Sequence, residues 1–337
     1  MTTVADGLYQ FGGMPTLPMP VLLSRSAKYF FVDPVNGADG NPGDAPNRAF
    51  QTLYQLHNKM TSGNNDVGFL IGAGTSAGSA ILSLANAQTI DSTATTGTLT
   101  WSKNACHLVG VSAPSISPRA RIGISGTEAT FNALPFITVS GNGCYFSNIA
   151  TAQEFTTGAN GEINFNVTGS YNVFNNVFMG GMLNAEAGAG ANSRVLTITG
   201  GGENKFIGCR LGVSTIARSA ANASIEFKTG TARNEFHNCV LACRDTTGGA
   251  FFILVTATGL NDYALFTNCW FINTIHNSAT AMATAASCTT NTPGGTLIFA
   301  NCNSVGVTKW GDTNALAKSE VSNVGGAATD GLMLNPS

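Results

Sequence analysis

Glu203 and Glu235 are the carboxylates of this 337-residue chain whose spacing could serve acid–base chemistry on a glycosidic bond. Such hydrolysis uses two carboxyl groups roughly 5–9.5 Å apart, one protonating the leaving oxygen and one acting as nucleophile or activating water. Lys205 and Arg233 stand beside them in sequence. Either cation could occupy a carboxylate first and leave it unfit for proton transfer. Which pairing holds depends on register, and register depends on the elements that carry the four residues.

Those elements repeat. "EFHNCVL" at 235–241 returns as "KFIGCRL" at 205–211 and "LFTNCWF" at 265–271. Further copies are "IFANCNS", "VFNNVFM", "YFSNIAT" and, more weakly, "HLVGVSA". Taking Gly110, Asn148, Asn176, Gly208, Asn238, Asn268 and Asn301 as anchors, the successive intervals are 38, 28, 32, 30, 30 and 33 residues. Two positions before each anchor stand Leu108, Phe146, Phe174, Phe206, Phe236, Phe266 and Phe299; one position after stand Val111, Ile149, Val177, Cys209, Cys239, Cys269 and Cys302. Each copy follows a β-branched or aromatic run that ends at Gly, such as "INFNVTG" or "ASIEFKTG", as strands bounded by turns do. One unit therefore reads strand, glycine turn, strand, Asn or Gly bend, short strand, loop. Such a unit cannot bury its apolar face alone, but stacked copies pile equivalent residues into columns. The Asn anchors are expected at bends, because Asn tolerates left-handed backbone.

Register then sorts the charges. Glu203 and Arg233 both lie five residues before adjacent anchors, and Lys205 and Glu235 both lie three before. Two cross-coil ion pairs are expected, Glu203–Arg233 and Lys205–Glu235, rather than a catalytic carboxylate pair. Glu154 and Asp245 fall three units apart, about 14 Å along the axis at ~4.8 Å per coil, and cannot share one bond. His57, His107, His237 and His276 fall in unrelated registers. "DPVNGADGNPGD" offers Asp33, Asn36, Asp39, Asn41 and Asp44 as hard oxygen ligands suited to calcium, but without the closing Glu of an EF-hand loop, so a turn-rich Asx loop is expected. Gly72 and Gly74 lack the G-x-G-x-x-G pattern and βαβ context of a nucleotide site. No cofactor and no metal are expected.

Four of the eight cysteines occupy the inward column where other copies carry Val or Ile, and free Cys packs as a small hydrophobe. Cys106 and Cys144 share a second column, four before their anchors, with Asn172, Asn204 and Asn234. Parallel Cβ vectors match disulfide geometry poorly, so free thiols are expected. Charged residues are only 10% of the chain and the net charge is −2, which argues against nucleic-acid binding. The longest apolar run, "AFFILV", is far below the ~20 residues that span a membrane, and "MTTVADGLYQ" has neither the basic start nor the apolar core of a secretory signal.

The Phe, Cys/Val/Ile and Asn columns resemble the right-handed parallel β-helix of the pectin-lyase-like superfamily, found in carbohydrate-active enzymes and bacteriophage surface proteins. The resemblance covers residues 60–310. It extends to "YFFVDPVNGADGNPGDAPNRAFQTLYQLHNKM" at 29–60, similar to the lead-in of such domains, where a helix at about 49–60 would plug the open apolar end and hide the first unpaired strand edge. The expected organisation is an all-β solenoid at 61–310, preceded by an extended N-terminal arm at 1–28 and followed by a cap or tail at 311–337.

The arm stands outside the repeat, carries three prolines and has no helical period. It is suited to lying along another protein, with Tyr9, Phe11, Met19, Pro20, Val21, Leu22 and Leu23 as the attachment residues. An arm followed by a β-helix resembles phage head decoration proteins, fibres and tailspikes. By that resemblance the expected protein is a non-enzymatic virion structural component, synthesised in the host cytoplasm. It would be a homotrimer bound to major capsid or tail proteins. The rivals are a tailspike enzyme cleaving a bacterial surface polysaccharide and a β-helix that binds a host glycan without turnover.

Overall fold

The β-branched and aromatic runs separated by Gly and Asn fold as short strands, and each strand pairs in parallel with its counterpart one coil away. The computed structural model describes residues 26–73, 98–124, 135–152, 163–183, 185–274, 280–289 and 294–312, with backbone alone for the short strands at 10–11, 14–15, 80–82 and 319–322. Three parallel sheets of ten, eight and eight strands result, and only the first pair of the ten-stranded sheet, Tyr29–Val32 beside Val67–Ile71, is adjacent in sequence among the described strands of these sheets. This is a parallel β-helix, as the repeat implies. Ser319–Ser322, inside the segment set apart as a tail, adds the last strand of the ten-stranded sheet beside Thr296–Ala300.

The ten-stranded sheet carries the repeat phrase in the expected register. Phe146 pairs with Phe174, Phe174 with Phe206, Phe206 with Phe236, Phe236 with Phe266 and Phe266 with Phe299. All six rings are at most 2% exposed. Their centroids lie 4.4–5.4 Å apart with interplanar angles of 3–18°, close to the spacing that the backbone imposes. Phe165 and Phe227 from a second sheet meet this stack edge-on, the other geometry that aromatic quadrupoles favour. Beside it, Cys209, Cys239, Cys269 and Cys302 form a second buried column. Each thiol lies 3.3–3.5 Å from the carbonyl of the phenylalanine one coil back. All eight cysteines are free and buried.

The bend column holds with one exception. Asn148, Asn176, Gly208, Asn238, Asn268 and Asn301 all have φ between 50° and 59°. Gly110 does not: it lies inside the strand His107–Val111, where a Cβ would stand 1.9 Å from the Asn148 carbonyl oxygen. Glycine is required there for close approach rather than for a bend. The strand runs on and Val111 stays half-buried on the outer side, not in the inward column. Stacked amides bond along this column once, from Asn176 Nδ2 to Asn148 Oδ1 at 2.9 Å.

The stronger polar ladder is the column of Asn172, Asn204 and Asn234, all fully buried. Their Oδ1 atoms accept the backbone N–H of Cys144, Asn172 and Asn204. Their Nδ2 groups donate to the carbonyls of Gly141, Gly169 and Gly201. Each side chain thus supplies one acceptor and one donor to neighbouring turns whose main-chain groups would otherwise be unsatisfied.

The capping helix is shorter than expected, Leu53–Lys59, because Thr52 is its N-cap and accepts from Gln55 N. Pro46–Arg48 forms a separate 3-10 turn. Leu53, Leu56 and Met60 close the core end. The edge of Tyr29–Val32 is not hidden by the helix itself: Phe31 N donates to Gly43 O and Phe50 N to Phe31 O, so the preceding loop pairs it. At the far end Trp310 packs on Phe271 and Phe299 at 5.5 and 5.3 Å.

Phe236 stacks on both neighbours, so Phe236→Ala opens a cavity shared by two coil interfaces. The expected cost is ~3–5 kcal/mol, read by urea denaturation. Enhanced hydrogen exchange should centre on residues 205–207 and 263–267. A loss below ~1 kcal/mol would show that the stack does not carry the core.

Candidate functional site

Side chains three and one residues before each anchor point away from the core, since strand residues alternate faces. On the outer face of the ten-stranded sheet this places His107, Tyr145, Val173, Lys205, Glu235, Leu265 and Ile298 in one row by register. Two residues upstream runs the turn row Tyr171, Glu203, Arg233, Tyr263, and the left-handed φ of Tyr171, Glu203 and Arg233 throws those side chains outward. Glu203, Asn204, Lys205, Arg233, Glu235 and Tyr263 line an open depression of about 280 Å³. A second depression, of about 380 Å³, continues along the axis and shares Tyr263.

Both expected ion pairs are present. Arg233 Nη2 contacts Glu203 Oε1, and Lys205 Nζ lies 3.0 Å from Glu235 Oε2. Two partners add to them. Asp262 Oδ2 sits 3.2 Å from Arg233 Nη1, so one guanidinium spans two carboxylates. His237 Nε2 lies 2.9 Å from Glu235 Oε2. The contact to His237 is the largest influence on Glu235 and lowers its pKa; burial opposes it, and Lys205 adds to the lowering. Arg233 is pushed up by the Glu203 hydrogen bond first and by Asp262 next. A general acid at neutral pH needs a raised carboxyl pKa. Glu235 is shifted the other way.

Register does not reveal Asp262, which lies six residues before its anchor and outside the Arg233 row. Tyr171 and Tyr263 do share the row of Glu203 and Arg233, and that spacing was the available signal. Tyr171 is 61% exposed. With Tyr263 it brackets the charged pair over three coils, about 14 Å at ~4.8 Å each. On another sheet Trp270 is 42% exposed, next to Val240 and Asn303.

The remaining candidates have structural partners. Asp245 accepts from the N–H groups of Thr247, Gly248 and Ala250, closing a turn. Asp33 accepts from Val35 N and Asn36 N. Asp39 accepts from Gln51 N, Thr52 N and the Thr52 hydroxyl. Asp44 pairs with Arg48, and Asn41 donates to Ala49 O. The loop is thus the Asx-rich turn expected of it, its carboxylates turned onto its own chain. Among the described residues no three His, Cys, Asp or Glu gather as a metal-ion group. Gly72 donates to Val111 O and leaves room for the Arg119–Ala120 backbone. Glu154, His276 and Gly74 lie outside the described residues, as do Tyr9, Met19, Pro20, Val21, Leu22 and Leu23. Phe11 is described by its backbone alone, where Gln10–Phe11 pairs antiparallel with Met14–Pro15.

The sequence pattern also misses a buried charge cluster on the third sheet. Arg194 and Glu226 face each other at 3.1 Å with both side chains about 5–6% exposed, and Lys228 adds a second cation at 2.9 Å. Arg194 and Glu226 do not share a register, since Arg194 pairs with Ala223.

No family model and no curated protein matches the chain. Among solved structures it is similar to a rhamnogalacturonan lyase (TM-score 0.57, 12% identity) over 82% of this chain and 68% of that one. It is also similar to a pectate lyase (TM-score 0.54, 12% identity) over 82% of this chain and 63% of that one. The chain therefore has the pectin-lyase-like fold. Identity at this level carries the fold and not the activity.

Glu235 should titrate below its ordinary value in a carboxyl-resolved NMR titration. Because its folded-state pKa is depressed, its contribution to stability is present above the unfolded value and is lost as pH falls through the folded one. In Lys205→Met, Glu235 should titrate higher than in the wild type. An unchanged value would mean that the Lys205 contact has no electrostatic weight.

Proposed function

We propose that the protein is a non-enzymatic structural β-helix of a bacteriophage particle, on the exterior of head or tail, seated by its N-terminal segment. The observation that carries the non-enzymatic part is the occupation of the carboxylates on the candidate face. The Arg233 guanidinium fills the space between Glu203 and Asp262, where a glycosidic oxygen would need to sit. Glu235 is clamped by Lys205 and His237 and stays ionised. Neither arrangement leaves a protonated acid beside a free base.

The virion part rests on the chain's composition. Few charges and a Thr-, Ser-, Ala- and Gly-rich sequence suit broad contacts between subunits, as in a homotrimer. The first 28 residues carry Tyr9, Phe11 and Met19–Leu23 without any copy of the repeat phrase. Set into pockets of a capsid or tail protein, such apolar side chains supply roughly 1.5–3 kcal/mol each before the cost of ordering the chain. Binding at several equivalent subunits multiplies the effect.

One observation favours a second role for the same molecule. Tyr171 and Tyr263 flank the Glu203–Arg233 pair along the coil axis, one aromatic residue on either side of hydrogen-bonding groups. That arrangement would hold a surface glycan without cleaving it.

The test has two arms. Purified protein incubated with homogalacturonan, rhamnogalacturonan and bacterial capsular polysaccharides should release no new chain ends. Turnover that disappears in Glu235→Gln or Glu203→Gln would establish an enzyme instead. A chain lacking residues 1–24 should remain folded by circular dichroism and fail to join particles. Incorporation at normal occupancy would move the attachment site to the coil or to the segment after Gly311.

A further inference from the structure

Two buried histidines at the N-terminal end both act as hydrogen-bond acceptors, His57 joining the capping helix to the coil and His107 joining one coil to the next. His57, on the helix Leu53–Lys59, is 2% exposed, and its Nε2 accepts the backbone N–H of Ser102 at 3.2 Å. Its ring packs edge-on against Trp101 at 5.0 Å. His107, 1% exposed, accepts the backbone N–H of Tyr145 through Nδ1 at 3.0 Å, while Nε2 faces Asn65 Oδ1 at 3.4 Å. A nitrogen that accepts cannot also carry a proton. Each imidazole is therefore neutral as placed, with one fixed tautomer, and protonation must eject a backbone N–H from its partner.

The surroundings sharpen the conflict at His57. Lys103 Nζ donates to the carbonyls of His57, Asn58 and Met60 at 2.5–2.9 Å, capping the C-terminal end of the helix with a cation. A charged His57 would sit beside that ammonium. At His107 the nearby carboxylate is Asp66, fully buried, which accepts from Lys28 N, Thr61 N and Asn64 Nδ2. The other titratable groups along this seam are Cys106 and Cys144, both buried thiols.

We propose that the N-terminal cap is an acid-released latch. Protonation of His57 detaches the helix from Ser102, and protonation of His107 releases the Tyr145 N–H that ties the first coils together; the two uncover the apolar end of the core, while the stack from Phe174 onward stays closed. The end that is freed is lined by Leu70, Leu99 and Trp101, now covered by Leu53, Leu56 and Met60.

Burial lowers both imidazoles to about 4, with Lys103 adding to the effect at His57 and Asp66 opposing it at His107. The sign follows. In the detached state both histidines regain the ordinary value near 6.5, so that state binds more protons between about pH 6.5 and pH 4. The latch is fully held above that window and loosens as pH falls through it. From pH 6.5 to pH 4.5, each histidine can raise the population of the open cap by about 40-fold.

Hydrogen exchange on the full chain at pH 7 and pH 4.5, corrected for intrinsic rates, reads this directly. Peptides covering 52–66 and 99–109 should lose protection by one to several orders of magnitude relative to peptides covering 223–273. The double variant His57→Gln, His107→Asn keeps acceptors that do not titrate, and its cap should show the same protection at both values. Uniform loss across the coil, or no loss at the cap, would overturn the latch. Cap-specific loss that persists in the double variant would also overturn it, assigning the acid response to Asp66. If the double variant does not fold, the histidine NMR signals of the wild type decide. Both rings must stay neutral to below pH 5 while the cap is closed, and titration near 6.5 with protection intact would refute the proposal.

Discussion

Parallel pairing between one coil and the next is the constraint on which the rest of this structure depends. Once strands stack at ~4.8 Å in register, every side chain has its equivalent directly above and below, so a residue type is chosen for a whole column. Phenylalanine suits the central column because a ring pair separated by the strand spacing is already near its preferred stacked distance. The geometry that the backbone sets for hydrogen bonds is thus also near optimal for the core. Sulfur suits the next column because a small, polarisable group can sit near the carbonyl of the coil behind it without forcing the strands apart.

The same stacking makes polar errors expensive. A turn repeated at every coil exposes the same unpaired N–H and C=O groups each time, and in a buried turn each would cost about 1–3 kcal/mol. Asn172, Asn204 and Asn234 answer with one side chain per coil that accepts from one turn and donates to another. The left-handed residues have a different task. They rotate the chain between sheets, and asparagine serves at five of the six left-handed anchors because its short polar side chain tolerates that region. Gly110 shows what happens when the chain continues straight: the position keeps its glycine, but for clearance from Asn148 O and not for φ.

Features that repeat were legible from the chain alone. The phenylalanine and cysteine columns, the bends and the cross-coil pairs Glu203–Arg233 and Lys205–Glu235 all follow from counting back from an anchor. Features that depend on loops folding over the sheets were not. Arg194 and Glu226 meet from different registers, and Arg218, 2% exposed, reaches Ser224 Oγ from a loop. Asp262 lies one residue out of the Arg233 row. The helix starts later than the sequence implies because Phe50 is used as a strand partner and Thr52 as a cap. Loop chemistry of that kind carries no period, so no column announces it.

The ends of a solenoid are where column logic stops, and there the chain uses singular residues. A column inside the coil is satisfied on both sides by copies of itself. At the first coil one side must be closed by something unlike it, and the closing element cannot share the repeat. Lys103 binding three carbonyls and two imidazoles accepting main-chain N–H groups are solutions of that type, each used once. They place ionisable groups in a buried seam where replacement by a neighbouring copy is impossible. The repeating columns in the interior of the coil rest on apolar contacts and neutral amides, which are indifferent to pH between 4 and 7. At the N-terminal cap it rests on groups whose protonation state must be held against their ordinary titration. This asymmetry follows from the architecture itself: a repeat can make its middle insensitive to solvent conditions, but it hands the closing of its end to chemistry that responds to them.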